Sequence, residues 1–131
     1  MIYLDASAIV TYVLGRRYDK ELAEYLGQQQ GKPTATSTIG LVEAVRNCDK
    51  HGSFPTLMSE LRGQMTELLV TDEIRDLAAQ IPERLRAMDA IHVATAESIG
   101  EFLTAVVSYD ERMLKAAHAR GLPIAHPGMP R

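Results

Sequence analysis

Apolar positions along the chain fall into two kinds of segment: runs of two to four residues with strand-like composition, and longer stretches with helical spacing. Ile2 to Leu4 reads as a first strand, and Ala8 to Leu14 as a helix that Gly15 stops. Leu22, Tyr25 and Leu26 share one face of a helix predicted from Asp19 to Gln29. After the breaker Gly31-Lys32-Pro33, a second strand is expected at Thr34 to Ser37, then a helix from Thr38 to about His51 that ends at Gly52. Phe54 to Glu67 carries a weaker helical pattern, and Leu68-Leu69-Val70 predicts the third strand. Thr71 or Asp72 caps a helix ending near Pro82, and Met88 to Ile99 is a strong helix of small and apolar residues. Ala105-Val106-Val107-Ser108 is the most β-like run, followed by a helix over Asp110 to Ala119, a stop at Gly121, and a last short strand at Ile124-Ala125.

Strands alternating with helices predict an α/β domain over residues 1–131, with a mainly parallel five-stranded sheet and helices on both faces. In such sheets ligands collect outside the carboxyl ends of the strands, where the strand order reverses. Polar residues that follow strands are therefore the first candidates for chemistry.

Composition narrows the picture. With 131 residues, 46% of them hydrophobic, the chain has apolar surface for one core. Its single cysteine, Cys48, excludes an internal disulfide and a thiolate-rich zinc site. The net charge of −3 excludes a module that binds nucleic acid mainly by counterion release, though not nucleic acid as a substrate. No run approaches the roughly 18 apolar residues of a membrane span, and the first residues carry no basic leader, so a cytoplasmic protein is expected.

Four acids take related places: Asp5 after the first strand, Glu43 in the helix after the second, Asp89 opening a helix, and Asp110 after the fourth strand. Asp5 and Asp110 each have a capping explanation, the latter with Ser108 and Glu111 spaced as a capping box, and Asp89 lies where a helix dipole welcomes negative charge. Glu43 lies beyond the reach of capping, which leaves a solvated helix edge as its ordinary role, and Asp89 shares its helical face with Val93 and Ala96. Converging carboxylates repel one another unless cations hold them ionised, and oxygen-only ligation suits Mg²⁺ or Mn²⁺. His51, His92, His118 and His126 lack zinc-site spacing; His92, three residues after Asp89, either orients that acid or packs within its helix, the commoner role.

The stretches YLDASAIV, STIGLVEAV, AMDAIHVATA and VVSYDERML resemble, in order and spacing, the four acidic motifs of the PIN-domain ribonucleases, above all the VapC-type toxins of toxin–antitoxin pairs. The resemblance spans essentially the whole chain and implies a three-layer α/β/α fold. It implies a Mg²⁺- or Mn²⁺-dependent endoribonuclease whose metal site is Asp5, Glu43, Asp89 and Asp110, supported by Ser7 and Ser108, and which leaves a 5′-phosphate on the downstream product. It also implies a cognate VapB-type antitoxin and a homodimer; the apolar helices Ala8 to Leu14 and Phe54 to Met65 are candidate contacts, though core packing explains them equally well. With a negative total charge, RNA has to be held by local cations; Arg84 and Arg86, next to the helix of Asp89, are preferred over Arg16, Arg17, Arg46, Lys50, Arg112 and Lys115. The competing readings are a non-catalytic scaffold of the same fold, against which all four acids stand, and a phosphoacceptor receiver domain, whose acidic pair and late lysine are missing.

Overall fold

A computed structural model describes residues 1–130 of the chain. Five strands, β1 (Ile2–Leu4), β2 (Thr34–Ser37), β3 (Thr66–Leu68), β4 (Ala105–Val107) and β5 (Ile124–Ala125), form one sheet in the order β3-β2-β1-β4-β5. Every pairing in it is parallel. Seven α-helices occur among the described residues: α1 (Ala6–Leu14), α2 (Asp19–Gln28), α3 (Thr38–Asp49), α4 (Leu57–Gln64), α5 (Asp72–Gln80), α6 (Ala87–Ile99) and α7 (Glu111–Ala119). None is long and apolar enough to cross a membrane.

The period-two alternation of the central strand builds the layers. Ile2 and Leu4 face one way, into a core with Ile9 of α1, Leu22 of α2, Leu41 of α3 and Leu61 of α4. Tyr3 faces the other way, with Val106 of β4, toward Ala96 of α6 and Ala117 of α7. Both faces of the sheet are thereby covered, as a parallel sheet requires. Successive strands step outward from β1 through β2 to β3, whereas β4 returns to the other side of β1. The order therefore reverses between β1 and β4, where Leu4 pairs with Val107 and the Asp5 amide donates to the Val107 carbonyl at 3.2 Å.

Two expected elements are displaced. The third strand is Thr66–Leu68 rather than Leu68–Val70, because pairing to β2 runs from Ala35–Thr66 to Ser37–Leu68 and ends where β2 ends. Leu69 and Val70 lie beyond that partner, Leu69 at 67% exposure, so apolar composition alone did not mark the strand. The helix expected over Phe54 to Glu67 is confined to Leu57–Gln64: Pro55 disfavours helical backbone at Phe54, and extended backbone at Met65 starts the run into β3.

Candidate active site

Asp5 closes β1 and is the N-cap of α1, accepting the Ala8 amide on Oδ1 at 3.0 Å. Capping is only part of its surroundings. Ser7 Oγ donates to the same oxygen at 2.6 Å, and Ser108 Oγ, from the loop after β4, donates to Oδ2 at 2.5 Å. Each hydroxyl also accepts a loop amide, Ser7 from Tyr109 at 2.9 Å and Ser108 from Asp110 at 3.0 Å. The serines therefore fasten the β4–α7 loop to the Asp5 carboxylate. Ser108 is spent on this bridge and forms no capping box with Glu111. Asp5 is buried, at 3% exposure, and burial pushes its carboxyl above the ordinary value against His92 and the hydroxyl and amide donors.

Asp110 is the N-cap of α7, its Oδ1 accepting the amides of Arg112 at 2.9 Å and Met113 at 3.5 Å. Asp89 lies in the first turn of α6, which has no side-chain cap of its own. Its side chain is only 9% exposed, and Oδ2 accepts from Arg86 Nε at 3.2 Å. That bond, with the charges of Asp89, Asp110 and Glu43, holds the largely exposed Arg86 guanidinium above its ordinary value. Arg86 thus lies in the combined field of three of the four acids.

Glu43 sits in α3, two turns after the Ser37 cap, whose hydroxyl accepts the Gly40 amide at 3.0 Å. Its Oε1 is 2.7 Å from Nε2 of His92, and His92 Nδ1 is 2.7 Å from the Tyr3 hydroxyl. His92 is packed within its helix at 2% exposure, and its ring contacts Glu43 rather than Asp89.

All four acids line one cavity of about 510 Å³ at the strand-order reversal. Around it the structure also gathers Ser7, His92, Arg86, and a second group, Arg16, Asn47, Lys50 and His51, in which Arg16 Nη2 donates to His51 Nε2 at 3.0 Å. Arg84, expected beside Arg86, is elsewhere: Leu85 between them packs against the Val93 and Met113 core, and Arg84 faces a separate recess with Arg112 and Lys115. Among the described residues, no three His, Cys, Asp or Glu side chains are drawn in around one point; each of the four acids has hydrogen-bond partners elsewhere in the chain. The cavity nevertheless joins four carboxylates from four elements, a donor set of hard oxygens that suits a hard divalent cation. The Tyr3–His92–Glu43 chain escaped sequence reasoning, since its members lie 89 and 49 residues apart and no spacing rule joins them.

Residues 2–119 match the PIN domain family. The chain is 37% identical to "Ribonuclease VapC47" of Mycobacterium tuberculosis (strain CDC 1551 / Oshkosh) over 134 residues, 98% of each chain. Its fold superposes on the crystal structure of Mycobacterium tuberculosis VapC20, described as a "Sarcin-Ricin loop cleaving toxin", with a TM-score of 0.73 at 17% identity, covering 97% of this chain and 100% of that one. A "Toxin-antitoxin complex from Klebsiella pneumoniae" gives 0.72 at 17% identity, covering 97% of this chain and 98% of that one.

Proposed function

Since the chain belongs to the PIN-domain family, with relatives named as VapC ribonucleases, we propose that it is a divalent-metal-dependent endoribonuclease of the toxin type. The observation that carries this reading is the convergence of Asp5, Glu43, Asp89 and Asp110 on one cavity at the carboxyl ends of β1 and β4. These four side chains would hold Mg²⁺ or Mn²⁺. When bound, such an ion acidifies water to supply hydroxide near neutral pH and offsets charge on the phosphodiester during in-line displacement.

The chain's own residues supply the rest. Ser7 and Ser108 fix both oxygens of Asp5, so that carboxylate does not reorient when substrate enters. Glu43, held at Oε1 by His92, has its other oxygen to accept a proton or orient a water. Arg86, paired with Asp89 in the free protein, is the cation best placed to receive an RNA phosphate at the mouth, and its fork geometry suits that anion. Asp89 is then released from its in-chain partner for the cation.

A VapB-type antitoxin belongs to the same proposal, supported by the likeness to a toxin–antitoxin complex, and a homodimer is proposed with it. The buried side of α1 is spent on the core, which leaves exposed apolar residues such as Tyr12 for such contacts. The deciding experiment incubates purified protein with RNA and Mn²⁺, with and without chelator. Cleavage that requires Mn²⁺ is expected; intact RNA under both conditions would overturn the ribonuclease reading.

A further inference from the structure

Resting on that reading of the four-acid site, we infer that His92 is a positioning residue that sets Glu43 by tying it, through Tyr3, to the strand that ends in Asp5. The imidazole is enclosed, and both ring nitrogens are engaged within 2.7 Å. Their roles follow from the partners. A carboxylate oxygen accepts, so Nε2 donates to Glu43 Oε1, and Nδ1 shares a hydrogen bond with the Tyr3 hydroxyl, which burial keeps protonated. Both ring nitrogens are thereby hydrogen-bonded, so burying the imidazole leaves no unpaired polar group.

The backbone is shaped to seat this ring. Gly40 lies one turn before Glu43 on the same face of α3, and a Cβ there would press on His92 Cε1 at 3.1 Å and strike the Thr36 hydroxyl. The missing side chain lets α3 approach α6 closely enough for the imidazole to fill the gap. A leucine or methionine would fill it with no demand for two polar partners. What histidine adds is direction. Tyr3 lies on the central strand and Asp5 directly follows that strand's end, so the Tyr3–His92–Glu43 chain indexes the acid on α3 to the same strand that delivers Asp5. Without it, Glu43, whose side chain is 19% exposed, is free to turn toward solvent.

The test compares wild type with Tyr3→Phe, His92→Leu, His92→Gln, Glu43→Gln and the double variant Glu43→Gln/His92→Leu. Mn²⁺ binding is read by electron paramagnetic resonance without RNA, initial rates on an oligoribonucleotide give kcat and KM, and circular dichroism reports folding. His92→Leu is expected to lower kcat and Mn²⁺ affinity each by roughly 10- to 100-fold, the range for groups that orient a metal ligand, with KM for RNA unchanged. Tyr3→Phe loses several-fold, and His92→Gln, which keeps a donor for Glu43, recovers part of the loss. In the Glu43→Gln background His92→Leu costs no further Mn²⁺ affinity, because the two act as one unit.

A folded His92→Leu protein with wild-type kcat and Mn²⁺ affinity overturns the inference, as does a full additional loss in the double variant. Should His92→Leu fail to fold, unchanged kcat and Mn²⁺ affinity in Tyr3→Phe overturn it instead. Wild-type cleavage with no effect of these substitutions leaves the ribonuclease standing and removes His92 from it. Mn²⁺ binding that depends on His92 in a protein that cuts no RNA does the reverse, and a protein that neither binds Mn²⁺ nor cuts RNA removes both.

Discussion

At the inner wall of the cavity, Asp5 is buried and held on both oxygens by serines from two different segments, while at the rim Asp89 is held by one long, largely exposed arginine. The two regions face the same space and carry the same kind of acid, yet they are built for different events. The inner groups keep one geometry, as chemistry requires. The rim groups, Arg86 together with Arg16 and Lys50, are tethers with many rotamers, suited to an extended, charged substrate. The inner wall should therefore govern turnover and metal affinity, and the rim should govern substrate binding and its salt dependence.

The largest effect is expected at the centre of the inner wall. Asp5→Asn should lower kcat on the order of 10³-fold or more, since it removes the most deeply held carboxylate of the set. Stability should move the other way. Burial raises the Asp5 pKa in the folded protein, so the native state holds a proton that the unfolded chain has lost. Stability then falls as pH rises from the ordinary Asp value of about 3.9 through the raised folded value, and at neutral pH the ionised group opposes folding. In chelator at pH 7 the Asn variant should melt no lower than wild type, and the difference should shrink toward pH 4. An active Asp5→Asn protein would break the assignment, and one that melts well below wild type would show that the charge supports the fold.

Ser108→Ala tests whether the wall depends on its bracing. It removes the donor to Asp5 Oδ2 and the acceptor for the Asp110 amide, so both acids lose their mutual reference. A drop of roughly 10- to 100-fold in kcat is expected, with about 1–3 kcal/mol of stability lost to the buried groups left unpaired. Next comes Gly40→Ala, which leaves every polar group in place and acts only by pushing Thr36 and His92 aside. About ten-fold in kcat and ~1–3 kcal/mol are expected, from kinetics and thermal melts, because the core has to yield around the added methyl.

These two regions also differ in how far a sequence reveals them. Asp5 and Asp110 could be located because each follows an apolar strand-like run and precedes a helix, a local pattern. What joins them into one candidate site is the order of four motifs rather than any one of them. The bracing was partly visible: Ser7 lies beside Asp5, but Ser108 reads equally well as a cap for α7 until β4 is seen next to β1. His92 reads as a core histidine, which it is, while its bond to Glu43 depends on two helices meeting at Gly40. The third strand was misplaced for the same reason: register at a sheet edge belongs to the partner strand, and Leu69 looks like a strand residue only while β2 is out of view.

At the rim the smallest effects are expected, and there they separate two arginines that positions two apart make look equivalent. Arg86 lines the acidic cavity and lies in the field of Asp89, Asp110 and Glu43, whereas Arg84 faces the recess beside α7. Arg86→Ala should raise KM for RNA several-fold and reduce the slope of log affinity against log salt by about one phosphate contact, with a smaller change in kcat. Arg84→Ala should change KM by less than about two-fold and leave the salt slope unchanged, as expected for an exposed charge away from the bound strand. Initial rates give KM, and fluorescence-anisotropy titrations of a labelled oligoribonucleotide across a salt series, in chelator to prevent cleavage, give the salt slope of both variants. Equal losses in the two variants would mean that the bound strand leaves the cavity past α7, and the division into a catalytic wall and a binding rim would have to be redrawn around that second recess.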